Sequence, residues 1–254
     1  MQRYFIYFSY KGTAYHGWQR QPNGVSVQQV LEEALSTVLR QEIAVVGAGR
    51  TDAGVHAKCM IAHFDVEDLG WQAPVLVKKL NSLLPHDVAV QHIRPVIGDA
   101  HARFSALSRR YEYWITEHKD PFQKELMVRV PSALDYDRMN QAAACLARYI
   151  DFTSFSKLHT DVKTNNCRIY FAEWQRRGDH YCFVIEADRF LRNMVRAIVG
   201  TLWMVGRGAI TVEQFCQIIE RKDRCAAGTS APAEGLYLVD VRYPDDIWMS
   251  SEES

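Results

Sequence analysis

The glycine-rich stretch at residues 47–57 constrains the fold of this chain more than any other segment. It reads Gly-Ala-Gly-Arg-Thr-Asp-Ala-Gly-Val-His-Ala, with an apolar run before it at 43–46 and an alternating run after it at 59–66. Glycine adopts turn conformations that other residues avoid, so this spacing predicts a tight loop between two strands. Such a loop can present Asp52 at the edge of a cleft.

Two phosphate-binding patterns are excluded for this loop. The dinucleotide fingerprint needs glycine where Asp52 stands, and a P-loop needs a Gly-Lys-Ser/Thr ending. Arg50 and His56 flank Asp52, and a carboxylate beside a guanidinium is held in its ionised form, which suits a nucleophile or a base. The alternative is an aspartate that only hydrogen-bonds the backbone of its own turn.

The composition is that of a globular protein large enough for two domains. The chain has 254 residues, of which 48% are hydrophobic, as in ordinary folded proteins. The N-terminal apolar run is too short for a signal peptide, and no window approaches the roughly 20 apolar residues of a membrane helix. The six cysteines are scattered without a C-x-x-C pair, so no zinc site is indicated. We therefore expect a cytoplasmic protein without bound metal.

The charge balance permits a nucleic-acid partner without requiring one. Basic and acidic residues both number 30. Four of the acids lie at 245–254, where there is no lysine or arginine, so the rest of the chain carries 30 bases and 26 acids. A mildly basic body with an acidic tail is compatible with RNA binding through a local patch.

Hydrophobic patterning predicts an α+β protein. Strands are expected at 4–10, 43–48, 59–66, 88–93, 109–116, 167–175, 181–187 and 237–243. Helices are expected from Ser26, which forms a capping box with Gln29, from Pro74, and at 136–149, 190–205 and 211–220. The order in the first half, β-α-β-β-α-β, is that of a ferredoxin-like unit. We predict two ferredoxin-like units whose mainly antiparallel sheets join around a central cleft that binds RNA. The predicted limits are 1–105, 106–245 and an acidic tail at 246–254.

Three segments are candidates for contacts with RNA. In 108–113 two arginines run into an aromatic strand, a composition suited to phosphate contacts and base stacking. At the predicted helix 190–205, one stripe opposite the apolar face is expected to carry Arg189, Arg192, Asn193 and Arg196. Arginine suits bidentate contacts to carboxylate or phosphate. The third segment, 101–106, reads His-Ala-Arg-Phe-Ser-Ala. By residue type alone, ordinary strand tyrosines, a solvated helix face and a linker remain the alternatives.

Five motifs together resemble the TruA-type tRNA pseudouridine synthases. They are Gly-Arg-Thr-Asp-Ala-Gly-Val-His-Ala at 49–57, His-Ala-Arg-Phe-Ser-Ala at 101–106, Arg-Arg-Tyr-Glu-Tyr at 109–113, Phe-Leu-Arg-Asn-Met-Val-Arg-Ala-Ile-Val-Gly at 190–200, and Ala-Pro-Ala-Glu-Gly-Leu-Tyr-Leu at 231–238. The loop Gly-Trp-Gln-Arg-Gln at 17–21 is also similar to that family. The similarity runs from the first strand to about Tyr243.

The resemblance implies an enzyme that breaks the C1′–N1 bond of uridine and reattaches the base through C5, with no cofactor. Its sites would be positions 38, 39 and 40 of the tRNA anticodon stem-loop, and it would be a homodimer with tRNA contacting both subunits. Asp52 would be the catalytic carboxylate, Arg196 would pair with it and keep it charged, and Tyr111 would stack on the target uracil. The arginines predicted to hold RNA are Arg50, Arg103, Arg109, Arg110 and Arg192.

Two other classes of function stay open at this point. A non-catalytic tRNA-binding module or RNA chaperone would bind RNA without forming a product. A glycoside or nucleoside hydrolase would normally need a second carboxylate to divide the acid and base roles, and would release free base. No second carboxylate stands out within the motifs.

Overall fold

The computed structural model describes residues 1–157 and 163–249, and the chain divides into two compact units. The first unit comprises Met1–Leu107 and Leu238–Ser254, and the second comprises Ser108–Tyr237. The second unit therefore interrupts the sequence of the first. Within the described ranges, no helix combines the length and the apolar character needed to cross a membrane.

The protein is α+β, with mostly antiparallel strands. The strands are β1 (Gln2–Tyr10), β2 (Val46–Gly47), β3 (His56–Val66), β4 (Val88–Val96), β5 (Ser108–Thr116), β6 (Val128–Arg129), β7 (Ile169–Arg177), β8 (His180–Ala187) and β9 (Leu236–Arg242). The helices are α1 (Val27–Leu39), α2 (Ala73–Leu83), α3 (Tyr136–Cys145), α4 (Met194–Gly206) and α5 (Val212–Glu220). The predicted order β-α-β-β-α-β of the first half is confirmed, whereas its assignment as ferredoxin-like stays a prediction.

In the first unit the strand order is β4-β1-β3-β9, and β2 pairs with β3. β1 is antiparallel to both β3 and β4. Helix α1 starts as predicted, because the Ser26 side chain accepts a hydrogen bond from the N–H of Gln29 at 3.2 Å and so caps the helix. Leu31 and Leu35 of α1 and Leu76 of α2 are buried in the core.

The strand predicted at 43–48 is wrong over most of its length, since only Val46–Gly47 pairs with a neighbour. The preceding backbone groups are satisfied by side chains of α1 instead. Ile43 N–H donates to Ser36 Oγ at 2.9 Å and Val45 N–H donates to Glu32 Oε1 at 3.1 Å. Those bonds occupy the groups that a sheet neighbour would need.

In the second unit the strand order is β5-β8-β7, with antiparallel pairs, and β6 runs parallel to β5. Tyr113 and Phe183 are fully buried, and the Tyr113 ring meets Trp203 of α4 edge-on at 5.9 Å. The helix predicted at 136–149 is shorter than expected, because α3 ends at Cys145 and continues as a 3-10 turn over Leu146–Arg148.

The C-terminal residues pack within the first unit, and this differs from the predicted limits. Leu107 N–H donates to the carbonyl of Arg242 at 2.7 Å, and Ile97 N–H donates to that of Ile247 at 3.0 Å. Ile247 is buried, and the Trp248 ring meets Phe5 edge-on at 5.8 Å. Residues 246–249 of the predicted acidic tail are thus part of a packed segment. Residues 250–254 of that tail lie outside the described residues.

Candidate functional site

The loop that carries Asp52 connects β2 to β3, as predicted. Ala48 N–H donates to the carbonyl of Ile61 at 2.7 Å and fixes the start of the loop. Val55 N–H donates to the carbonyl of Asp52 at 3.2 Å, closing a turn in which Gly54 has a φ of +79°. Asp52 is half-buried and Arg50 is exposed. The loop therefore holds the backbone of Asp52 in a defined turn, close in sequence to the exposed Arg50.

A second loop, at 11–24, braces the Asp52 loop from one side. Trp18 N–H donates to the carbonyl of Thr51 at 3.1 Å, and the hydroxyls of Tyr10 and Thr51 lie 2.8 Å apart. Gly17 has a φ of +89°, and a Cβ atom placed on it would lie 2.6 Å from the Thr51 carbonyl oxygen. Because side-chain atoms do not fit at this distance, the two loops meet backbone to backbone next to Asp52.

His56 has a structural part in the same arrangement. It is buried, and its Nδ1 atom accepts a hydrogen bond from Gly12 N–H at 3.0 Å. A ring nitrogen that accepts must be unprotonated, so the ring proton lies on Nε2. No pattern in the sequence predicts that Tyr10 and Trp18 bond to Thr51, the residue before Asp52.

Arg103 lies in the first unit on the turn that follows Ala102. Ala102 N–H donates to His63 Nδ1 at 3.1 Å. Arg103 itself is exposed, and the carbon atom of its guanidinium lies 5.6 Å from the centroid of the Phe104 ring. Arg103 is thus held on the surface of the unit that carries Asp52.

In the second unit Tyr111 lies on β5. Its ring is buried and meets Phe190 edge-on, with centroids 5.2 Å apart. Tyr113 packs toward α4, whereas Trp114 donates from Nε1 to Glu112 Oε2 at 2.9 Å. This alternation is that of a β-strand, in which successive side chains point to opposite faces of the sheet.

Arg109 and Arg110 have protein partners that the sequence analysis did not identify. Arg110 donates from Nε and Nη2 to Glu186 Oε2 at 2.9 and 2.6 Å. Glu186 is buried and also accepts from the Ser108 hydroxyl at 2.8 Å. Arg109 Nη1 donates to the carbonyl of Asp188 at 2.8 Å. The register of β5 with β8, which pairs Arg110 with Glu186, could not be read from either strand alone.

The predicted helix at 190–205 begins later than expected, at Met194. Asn193 adopts a left-handed conformation with a φ of 66°, which ends helical geometry on its N-terminal side. The predicted helical stripe of Arg189, Arg192, Asn193 and Arg196 is therefore wrong. Arg192 is exposed ahead of the helix, and Arg196 is half-buried in its first turn.

The segment at 228–231 fixes the start of α4. Arg196 Nε donates to the carbonyl of Ala231 at 2.7 Å, and Ala231 N–H donates to the carbonyl of Arg196 at 2.9 Å. Ser230 Oγ accepts from Asn193 Nδ2 at 2.6 Å and from Arg224 Nη2 at 2.9 Å. Ala231, the first residue of the motif at 231–238, thus bonds to Arg196 directly and orients it.

The structure brings the predicted residues together in two groups. Arg50 and Asp52 share one loop of the first unit, while Arg109, Arg110 and Tyr111 share one strand of the second. Across residues 1–157 and 163–249, no cluster of three or more histidine, cysteine, aspartate or glutamate side chains could hold a metal ion.

Comparison with known proteins gives a consistent assignment. The model of the family described as tRNA pseudouridine synthase matches residues 6–105 and 149–244. A protein named tRNA pseudouridine synthase A from Bacteroides thetaiotaomicron is 60% identical over 257 residues, covering 100% of this chain and 94% of that protein. Proteins of the same name from Parabacteroides distasonis and Exiguobacterium sibiricum are 58% and 38% identical, covering 98% and 96% of this chain and 98% of each relative.

Proposed function

Given that this chain belongs to the tRNA pseudouridine synthase family and isomerises uridine to pseudouridine in tRNA, we propose that it acts on the anticodon stem-loop. The proposed sites are positions 38, 39 and 40. The C1′–N1 bond breaks, the base turns, and C5 bonds to C1′ while the C5 proton leaves and N1 gains one. The product is an isomer of the substrate, so the reaction consumes no water, electrons or second substrate.

Asp52 is the proposed catalytic carboxylate. The observation that carries this assignment is the bracing of its loop, in which Thr51 accepts from Trp18 N–H and meets the Tyr10 hydroxyl. A loop held on both its backbone and its side chain keeps the neighbouring carboxylate in one position, as catalysis by a positioned group requires.

Arg196 and Tyr111 are assigned supporting roles. Arg196 is proposed to pair with the Asp52 carboxylate, and its backbone and Nε bonds to Ala231 support a fixed orientation of its guanidinium. Tyr111 stacks on the target uracil and assists removal of the C5 proton. The edge-on contact with Phe190 holds the Tyr111 ring for that role.

The five predicted arginines hold the RNA in two ways. Arg50, Arg103 and Arg192 are exposed, and we assign them direct phosphate contacts. Arg109 and Arg110 are already bonded to Asp188 and Glu186, so they add positive charge from a fixed position. The target base must leave its stack to be reached, and contacts of both kinds offset that cost of a few kcal/mol.

The first test is pseudouridine mapping in unmodified tRNA transcripts that carry uridine at 38, 39 or 40. Asp52→Asn is expected to reduce the rate at least about 1,000-fold, because the carboxylate is lost while the shape is kept. Asp68→Asn, an exposed acid of the same unit, is the matched control and should keep full activity. Binding of tRNA to both variants is measured in parallel.

Four outcomes would contradict the proposal in different ways. Normal turnover by Asp52→Asn would remove the catalytic assignment. Tight binding by the wild type with no product would favour the non-catalytic tRNA-binding or chaperone module. Release of free uracil would favour a glycoside or nucleoside hydrolase. Modification confined to tRNA positions other than 38, 39 and 40 would overturn the proposed specificity.

Finer features of the assembly are also proposed. The two units are each ferredoxin-like, which the observed order β4-β1-β3 with β2 beside β3 supports for the first.

We further propose a cytoplasmic homodimer with tRNA contacting both subunits. A monomeric mass in light scattering at working concentration would exclude the dimer.

A further inference from the structure

A turn at 101–105 presents a phenylalanine to solvent. The Phe104 side chain is 76% exposed, although phenylalanine is usually buried in folded proteins. The roles assigned above use Arg103 of this turn and leave Phe104 without one. An exposed aromatic ring carries information about function only if the turn beneath it is fixed.

Hydrogen bonds within the turn fix its backbone. His101 N–H donates to Ser105 Oγ, and Ser105 N–H donates to the His101 carbonyl, both at 2.9 Å. The N–H groups of Arg103 and Phe104 both point at His101 Nδ1, at 3.1 and 3.3 Å. A loosely held linker would leave such groups to water, so this turn has one preferred conformation.

Further bonds attach the turn to the sheet of the first unit. Ala102 is buried and is held on both sides, since its N–H donates to His63 Nδ1 and its carbonyl accepts from the Tyr243 hydroxyl at 2.6 Å. Arg3 Nη1 donates to the carbonyl of Ala100 at 3.0 Å. The exposed ring therefore stands on a rigid support.

The surroundings of the Phe104 ring are those of a base-stacking contact. The His101 ring lies beside it, with centroids 4.3 Å apart and an interplanar angle of 36°. The Arg103 guanidinium carbon lies 5.6 Å from its centroid. Aromatic rings stack on bases and arginines contact phosphates in proteins that bind single-stranded RNA.

We propose that Phe104 stacks on an unpaired or extruded base of the tRNA while Arg103 contacts an adjacent phosphate. The inference rests on tRNA being the substrate and extends the proposed function by naming an aromatic contact. An RNA partner is favoured over a protein partner because an arginine flanks the ring on a turn with no acidic residue.

The test measures the dissociation constant of unmodified tRNA for four proteins. Phe104→Leu keeps an apolar side chain and loses the ring, and it should bind roughly 10- to 100-fold more weakly. Phe104→Tyr keeps the ring and should bind within about threefold of the wild type. Phe122→Leu is the matched control, because Phe122 is 88% exposed on a turn of the second unit and has no proposed role.

Salt dependence separates the two contacts of the turn. Arg103→Gln should reduce the slope of log affinity against log salt concentration by about one, whereas Phe104→Leu should leave the slope unchanged. Quenching of 2-aminopurine placed in the anticodon loop should report the stacking directly, and Phe104→Leu should abolish that quenching. Thermal unfolding should be unchanged, since the replaced ring is exposed.

Equal affinity of Phe104→Leu and the wild type would overturn the proposal. A loss of dimer mass in light scattering with unchanged RNA affinity would assign the ring to contact with a second copy of the chain. Pseudouridine mapping of the wild type is run on the same preparations. Absence of product at 38, 39 and 40 would refute the proposed function and leave the binding result for Phe104 standing.

Discussion

His63 and His101 of the first unit, like His56, serve as acceptors for backbone N–H groups. His63 Nδ1 accepts a hydrogen bond from Ala102 N–H, and His101 Nδ1 accepts from the N–H groups of Arg103 and Phe104. Burial first, and the positive charge of Arg3 second, lower the pKa of His63 from its ordinary value of 6.5 to about 4. Both rings must be neutral to accept, so protonation of either one would loosen the turn at 101–105.

The low pKa of His63 predicts a loss of stability in acid. Between pH 6.5 and 4 the unfolded chain binds a proton at this residue and the folded chain does not, so the free energy of unfolding falls as the pH falls. The expected loss is about 2 to 3 kcal/mol between pH 7 and pH 4. Denaturant unfolding of the protein at several pH values measures it.

Substitution of His63 separates this effect from general acid denaturation. His63→Gln offers an amide oxygen as acceptor and cannot titrate, so it should flatten the dependence between pH 6.5 and 4. His118→Gln, at an exposed histidine of the second unit, is the control. If both variants keep the wild-type dependence, His63 is not the titrating group.

At the scale of elements, the contact between the loop at 11–24 and the Asp52 loop predicts that one substitution lowers both stability and activity. Gly17→Ala forces a side chain into a positive-φ position against the Thr51 carbonyl. The cost in folding free energy is about 1 to 3 kcal/mol, and displacement of Asp52 should lower the turnover rate at least about tenfold.

Gly49→Ala is the control for Gly17→Ala within the Asp52 loop. A Cβ atom at Gly49 would meet nothing within 4 Å, so this variant should keep near-normal turnover and stability. Single-turnover rates at saturating enzyme and thermal unfolding measure the two quantities. Equal turnover by the two variants would show that the bracing of the loop does not position Asp52.

Local patterns predicted an element correctly where its own residues determine it. Helix α1 begins after Ser26 as predicted, because Ser26 Oγ caps the N–H of Gln29. The Gln29 half of the predicted capping box is not formed, since Gln29 Nε2 donates to Glu33 Oε1 instead. The prediction of a strand at 43–48 was wrong because side chains of α1 bond to the backbone there. The prediction that α4 starts at 190 was wrong because Asn193 has a left-handed backbone conformation. Both failures depend on partners distant in sequence, Glu32 for Val45 and Ser230 for Asn193.

The motifs that make up the candidate site could be predicted from the sequence, but the contacts between their residues could not. The resemblance was enough to name the candidate residues by position. In the structure these residues lie on loops, strands and helix ends. The supports of those residues, Thr51 for the Asp52 loop and Glu186 for Arg110, come from strand register and loop packing. A single sequence carries no pattern for such pairings.

For the molecule as a whole, the C-terminal segment completes the first unit. Ile247 is buried and pairs with Ile97, so Ile247→Ala should cost about 2 to 5 kcal/mol. Hydrogen exchange should accelerate in β1, β3 and β4 more than in β5 and β8. Asp246→Ala, at the exposed neighbour, should change neither set. Equal acceleration in all five strands would show that the two units open together.

The interruption of the first unit by the second also sets an order of events on the ribosome. The place of β9 beside β3 stays unfilled until Leu236–Arg242 has been translated. The second unit, which is continuous from Ser108 to Tyr237, has all its residues before then. Although it comes later in sequence, it is the first of the two that can finish folding during synthesis.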